Sequence, residues 1–169
     1  MRSANQIYIE KAEDGFRLWS ELWLPRAPED VFDFFADARN LEELTPPWVH
    51  FRVATKGEIE MVEGTEIDYS LRIRGLPVRW RSRITDWQPP FTFVDEQVRG
   101  PYRRWVHEHR FEPLDGGTLA VDHVSYSVLG GGPINSLLVS PDLRRIFTYR
   151  SGRLTERFGG LVCSVAAAP

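Results

Sequence analysis

The sequence is poor in cysteine and has no long hydrophobic run. Its 169 residues include one cysteine, Cys163, so no disulfide can form within the chain, which fits a reducing compartment. The apolar stretch at residues 161–169 is far too short to span a membrane. The first fifteen residues lack the apolar core of a secretory signal peptide. We therefore expect a cytoplasmic protein without stable membrane insertion.

An excess of positive charge and the familiar catalytic motifs are also absent. The net charge is −3, so the overall balance does not favour nucleic acid as a partner. Arg79, Arg81 and Arg83 alternate on one predicted strand, but no aromatic residue shares their face, and we expect a solvated face paired with acidic neighbours. The sequence contains no GxGxxG after a strand, P-loop, HExxH, GxSxG or CxxC motif. No cofactor and no metal are predicted.

Aromatic residues, by contrast, are abundant. Six Trp, ten Phe and five Tyr supply many large flat surfaces, which suit either a dense core or a lined pocket. No internal repeat or low-complexity linker interrupts the chain. We therefore expect one domain over residues 1–169, with its core at about 14–159 and a tail at 160–169.

Apolar residues with a period of two predict about seven strands joined by short turns. Gly, Pro and Asp clusters mark the breaks between them. Strands that follow one another through short turns indicate an antiparallel meander. The predicted strands are Phe16–Leu24, Val49–Thr55, Thr65–Arg74, Val78–Trp87, Phe91–Arg99, Tyr102–Glu112 and Thr118–Leu129.

Helical spacing appears in two places. After the first strand, Pro28 opens one short helix, and a second follows at residues 40–44, with Asn40 as its cap and Glu43 reaching back. Near the C-terminus, residues 140–142 (Ser-Pro-Asp) predict the start of a long helix that ends at residues 159–160. The order is that of an α+β fold in which a curved sheet and one long helix enclose an internal cavity.

This element order resembles the helix-grip fold of the START-like (SRPBCC) superfamily. The resemblance rests on residues 31–51 (VFDFFADARNLEELTPPWVHF), 75–111 (GLPVRWRSRITDWQPPFTFVDEQVRGPYRRWVHEHRF) and 122–126 (DHVSY). It covers about residues 14–159 and points to bacterial ligand-binding and polyketide cyclase/dehydratase-like members. It implies a sheet wrapped round the long helix, and a cavity for a small hydrophobic molecule. Ala27 departs from the Ser or Thr cap expected before Pro28.

His107 and His109 are two residues apart on a predicted strand, so they leave the same face, together with Trp105 and Phe111. Three interpretations are open for the pair. The two imidazoles are catalytic candidates as an acid–base pair, because histidine titrates near neutral pH. They would bind a metal only with a third group, and a His-x-His pair alone is a weak signal for one. The third interpretation is a structural pair satisfied by neighbouring hydrogen bonds.

Asp95, Asp122 and Arg150 are the charged residues predicted to lie near these histidines. Asp95 alternates with Phe93 on the preceding strand, and Asp122 shares a face with Tyr126 on the following one. A buried carboxylate must be paired or hydrogen-bonded, although Asp95 also suits an anchor for the next turn. Arg150 falls within the apolar stripe of the long helix, where it forms an internal ion pair, extends to the rim or contacts a ligand.

Three functions are compatible with this pattern. The first is binding or carriage of a small hydrophobic ligand, and the second is a cyclase- or dehydratase-type enzyme that uses His-assisted acid–base chemistry. The third is a protein-interaction module. The sequence leaves the oligomeric state open. The residues predicted to contact the ligand are Tyr69, Leu71, Trp80, Asp95, Trp105, His107, His109, Phe111, Asp122, Tyr126 and Arg150.

Overall fold

Eight antiparallel strands form one curved sheet, and a long helix near the C-terminus packs against it. The computed structural model describes residues 7–159; the predicted tail 160–169, with Cys163, lies outside these residues. The α+β helix-grip architecture expected from the sequence is confirmed. Strand order across the sheet is β1-β2-β8-β7-β6-β5-β4-β3. The strands are β1 (Tyr8–Ala12), β2 (Gly15–Leu24), β3 (Arg52–Val53), β4 (Glu66–Ile73), β5 (Leu76–Gln88), β6 (Thr92–Arg99), β7 (Arg104–Leu114) and β8 (Gly117–Ser127).

Strands β2 and β4–β8 match their predicted counterparts to within two residues at each end. The sequence prediction missed β1, because this strand lies at the edge of the sheet and shows no clear alternation of buried and exposed residues. The strand predicted at Val49–Thr55 is too long. Residues 47–49 form a 3-10 turn and His50 has a φ of 48°, so only two residues remain to pair with β4.

Two short helices follow β2, as predicted. Helix α1 (Pro28–Phe35) begins at its proline without a side-chain cap. Helix α2 (Leu41–Leu44) follows a 3-10 turn at residues 38–40. The capping role predicted for Asn40 is wrong, because its backbone is already helical and its Nδ2 donates to the carbonyl oxygen of Phe34 at 2.8 Å. Glu43 instead accepts hydrogen bonds from Arg153 and Arg157 of the long helix.

The long helix begins earlier than predicted. Helical backbone starts with α3 (Gly131–Ile134), continues through a π-helical turn (Asn135–Val139), and runs into α4 (Ser140–Phe158). Ser140 is therefore inside the helical segment and does not cap it. Pro141 has no N–H to donate, and the wide turn before it accommodates the missing hydrogen bond. Gly159 ends α4 with a φ of 72°, as predicted.

Two apolar clusters hold α4 against the sheet. Leu154 packs with α1, α2 and the neighbouring strands, whereas Leu143 and Phe147 pack with β2, β7 and β8. Burying an aliphatic or aromatic side chain contributes roughly 1.5–3 kcal/mol to stability. Arg150 lies between the two clusters along the helix, and it is also buried. The helix thus carries one charged side chain into the interior at the level of the central strands.

Gly15 has a specific role in the pairing of β2 with β8. Its φ is 143°, and a Cβ at this position would lie 2.3 Å from the carbonyl oxygen of Tyr126. We expect Gly15→Ala to lower the free energy of unfolding by about 2–3 kcal/mol, because both the backbone strain and the clash oppose the native pairing. Gly116→Ala is the matched control, since Gly116 also has a positive φ but open space around it. Urea denaturation should show a smaller decrease in the free energy of unfolding for Gly116→Ala than for Gly15→Ala. Equal decreases for the two variants would contradict the clash at Gly15.

Candidate functional site

A cavity of about 660 Å³ lies between the concave face of the sheet, α4 and the short helices. This volume is in the range that accommodates a medium-sized organic molecule. Aromatic and aliphatic side chains form most of its wall: Phe35, Leu41, Phe51, Met61, Ile67, Tyr69, Leu71, Trp80, Phe93, Tyr102, Trp105, Ile146 and Phe147. A polar patch interrupts this wall, made of Ser82, Asp95, His107, His109 and Arg150.

Eight of the eleven predicted contact residues line this cavity: Tyr69, Leu71, Trp80, Asp95, Trp105, His107, His109 and Arg150. The other three lie outside its lining. Phe111 is covered by α1 and packs against Phe32 and Phe35. Tyr126 is buried, and its hydroxyl donates to Oδ1 of Asn135 at 2.8 Å. Asp122 lies behind the two histidines, and no ligand contact is expected for any of the three.

Strand register brings the polar patch together. His107 is opposite Asp95 of β6, and His109 is opposite Asp122 of β8. Because residues 105, 107, 109 and 111 alternate with outward-facing neighbours on β7, all four side chains are buried on the inner face. The sequence interpretation that both histidines share one inward face is therefore correct.

Hydrogen bonds join the histidines to both carboxylates. Nε2 of His107 lies 2.8 Å from Oδ1 of Asp122, and Nδ1 of His109 lies 3.3 Å from the same oxygen. Nε2 of His109 lies 3.0 Å from Oδ2 of Asp95. The ring centroids of the two imidazoles are only 3.7 Å apart. The anchoring of the turn after β6, considered for Asp95, belongs instead to Gln97, which bonds to the backbone of Tyr102.

Arg150 completes the cluster from the helix side. Its Nη2 donates to Oδ1 of Asp122 at 3.2 Å, and its guanidinium lies 5.0 Å from the ring of Phe35. The side chain is 5% exposed, so it forms an internal ion pair and does not extend to the rim. Its Nε is buried without a hydrogen-bond partner among the described residues.

The electrostatics of the cluster follow from burial and these contacts. Burial and the nearby His109 lower the pKa of His107 to about 4, despite its hydrogen bond to Asp122. Burial opposes a charge on His109, but hydrogen bonds to Asp122 and Asp95 outweigh it and raise its pKa. Burial would raise the pKa of both carboxyl groups. At Asp122, Arg150 and the two imidazoles outweigh it and hold the pKa well below its usual range. At Asp95, the two histidines outweigh it and lower the pKa. When His109 is protonated, the positive charges of His109 and Arg150 balance the negative charges of Asp95 and Asp122.

Several residues of the site were not identified from the sequence. Phe93 stacks on His109 with a centroid distance of 4.1 Å. Ser82 accepts a hydrogen bond from Nε1 of Trp80 and lies 3.4 Å from Asp95. Alternation along β5 and β6 places Phe93 and Ser82 on the inner face, and that signal was available in the sequence. Asn135 had no such signal, because its role depends on the unexpected π-helical turn.

An ion pair between Arg74 and Asp142 lies on the wall of the cavity. Arg74, in the turn between β4 and β5, has a φ of 50° and makes two hydrogen bonds to the carboxylate of Asp142, at 3.0 and 3.1 Å. It also donates to the carbonyl oxygen of Leu138 at 3.3 Å. Two exposed apolar side chains, Trp48 and Leu129, also line the cavity.

The arginine stripe faces solvent on the outer side of the sheet. Arg81 pairs with Asp68, and Arg83 pairs with Glu66, as expected for a solvated face. Among residues 7–159, no helix is long and apolar enough to cross a membrane. One group in the same range, Asp95 with His107 and His109, brings three metal-ligating side chains together.

The buried ion pair generates a prediction about stability. Arg150→Met keeps the apolar stem but leaves Asp122 without its cationic partner, and we expect the free energy of unfolding to fall by about 3–5 kcal/mol. Urea denaturation of the single variants, of Asp122→Asn and of the double variant gives the coupling between the two side chains. Arg81→Met removes an exposed pair and should cost much less. Similar losses at Arg81 and Arg150 would contradict the structural role of the buried pair.

Comparisons with known proteins agree with this architecture. Residues 24–155 match the family described as polyketide cyclase/dehydrase and lipid transport. No curated protein matches the chain. Similar solved structures include protein Ms6760 from Mycobacterium smegmatis, with 15% identity, a TM-score of 0.65, and coverage of 91% of this chain and 98% of that one.

Two further solved structures, one from a plant and one from a bacterium, are also similar to this chain. Major latex-like protein 151 from Panax ginseng has 12% identity and a TM-score of 0.63 over 84% of this chain and 96% of its own. A nucleoside-diphosphate sugar epimerase from Corynebacterium glutamicum has 26% identity and a TM-score of 0.63 over 82% of this chain, but only 28% of its own. Since the family match covers most of the sequence, the chain belongs to the polyketide cyclase/dehydrase and lipid transport family, and the START-like resemblance is confirmed.

Proposed function

We propose that the protein binds a small, largely hydrophobic molecule in its internal cavity. The observation that carries the proposal is a cavity of about 660 Å³ whose wall is mostly aromatic and aliphatic and carries a buried polar patch. Transfer of apolar surface out of water contributes about 25 cal/mol per Å², so a ligand that fills this space would bind through its apolar body.

The polar patch would set the orientation of the ligand. Arg150 and Asp95 are tied into hydrogen bonds on one side, yet both also line the cavity. A few polar groups in an apolar pocket give orientation and specificity, because a ligand that fails to pair with them leaves buried groups unsatisfied. The ligand would therefore carry a polar group at one end, near His107.

The first experiment is native mass spectrometry of the full chain purified from its own host, followed by extraction of any bound molecule. A stoichiometric hydrophobic compound supports the proposal and identifies the ligand. The family description also names cyclase chemistry. Dehydration of the ligand would appear in the same experiment as the loss of one water molecule, whereas cyclisation alone conserves the mass and would appear as a change in chromatographic retention.

A substitution in the cavity wall should weaken the binding of an apolar probe. Leu71 lines the cavity, and Leu71→Trp would fill part of it, so we expect the affinity for 1-anilinonaphthalene-8-sulfonate to fall at least about five-fold. Fluorescence titration measures this change. Leu114→Trp makes the same replacement on the outside of the fold and should leave the affinity unchanged. A wild-type protein that binds no apolar probe would overturn the proposal.

A further inference from the structure

Asp95, His107 and His109 form a cluster of ligating atoms on the cavity wall. Each residue offers one ligand atom, and these atoms all lie within 4.8 Å of one another. All three side chains line the cavity, so a bound ion would have positions open to a ligand. Two imidazoles and one carboxylate are a donor set that divalent transition metals accept in proteins.

The hydrogen bonds behind the cluster determine which imidazole nitrogens are available. Oδ1 of Asp122 lies 2.8 Å from Nε2 of His107, and because an ionised carboxylate can only accept, that nitrogen carries the hydrogen atom. The free electron pair of His107 is then on Nδ1. Nδ1 of His109 faces both Oδ1 of Asp122, at 3.3 Å, and Nη2 of Arg150, at 3.4 Å. Metal binding through Nε2 of His109 requires the remaining hydrogen atom on Nδ1, where Asp122 accepts it.

The spacing of His109 and Asp95 suits two neighbouring ligands of one ion. Zinc–nitrogen and zinc–oxygen bonds of about 2.1 Å place adjacent ligand atoms about 3.0–3.4 Å apart, for angles between a right angle and the tetrahedral value. Nε2 of His109 and Oδ2 of Asp95 are 3.0 Å apart. A metal ion would replace the proton that these two atoms share.

The surrounding charges are compatible with a cation. Asp95 and Asp122 together carry two negative charges, and Arg150 carries one positive charge that is paired with Asp122. A divalent ion bound by neutral imidazoles leaves one net positive charge, which an oxygen anion from the ligand or from water would balance. Asp122 orients both histidines from behind, as carboxylates commonly do around metal-bound imidazoles.

We propose that Asp95, His107 and His109 bind a divalent transition-metal ion of the zinc class, and that Asp122 positions the two imidazoles. The inference deepens the proposed function, because the open coordination positions of the ion would receive the polar group of the bound molecule. The arrangement places the metal at the polar patch, where apolar and polar parts of a ligand would meet.

Titration of the untagged, chelator-treated full chain with Co²⁺ and Zn²⁺ tests this site. We expect one equivalent of Co²⁺ with visible absorption bands, displaced by Zn²⁺ and confirmed by elemental analysis after dialysis. Asp95→Asn and His107→Gln should each weaken binding at least about thirty-fold, and Asp122→Asn about ten- to hundred-fold. His123→Gln is the control, because His123 pairs with Glu108 away from the cluster, and it should bind metal like the wild type.

The outcomes separate the metal site from ligand binding. Each variant is first checked by thermal unfolding, and His107→Gln remains informative if Asp122→Asn fails to fold. Failure of the wild type to bind either ion, or an equal loss in His123→Gln, would overturn the metal site. Titration with the apolar probe on the same samples tests ligand binding independently of the ion. If the protein binds the probe but not Co²⁺, the metal site is rejected and the proposed function stands. If it binds Co²⁺ but not the probe, only the proposed function is rejected.

Discussion

One oxygen of Asp122 lies within 3.3 Å of nitrogen atoms of His107, His109 and Arg150. Two of these partners come from strand β7 and the third comes from helix α4, so the carboxylate joins the helix to the middle of the sheet. An apolar stripe alone tolerates small rotations of a helix. The ion pair requires the one rotation that directs Arg150 at Asp122, and a buried charge left without its partner is costly. The position of α4, and with it the shape of the cavity, depends on this contact.

The cavity is a consequence of how the helix is held. Leu154 on one side and Leu143 with Phe147 on the other pack tightly against the sheet, while the segment between them presents a charged group. The side chains of the strands leave a space of about 660 Å³ between the sheet and the helix. An unfilled apolar space reduces stability, so a molecule that fits it would stabilise the fold by mass action. Binding of such a molecule would therefore be coupled to folding.

Much of this arrangement could be predicted from the sequence. Period-two alternation placed His107 and His109 on one inner face, and helical periodicity placed Arg150 among apolar residues. The partner of Arg150 could not be deduced, because it depends on where α4 lies on the sheet, and the sequence does not give that position. The sequence prediction starts the long helix too late, because Ser140 and Pro141 have the residue types of a helix N-terminus. In the structure, a π-helical turn precedes them and the proline lies inside the helical segment.

The ion pair between Arg74 and Asp142 has a bearing on the exchange of molecules with the interior. Both side chains are partly exposed, at 48% and 29%, so solvent screens this pair more than the buried pair of Arg150 and Asp122. Neither Arg74 nor Gly75 belongs to the two apolar clusters that hold α4, so separation of the turn between β4 and β5 from the helix would leave both clusters packed. Because salt screens exposed charges, such a separation would become easier as the ionic strength rises. An entrance at this turn would also leave the buried contact of the helix at Asp122 intact.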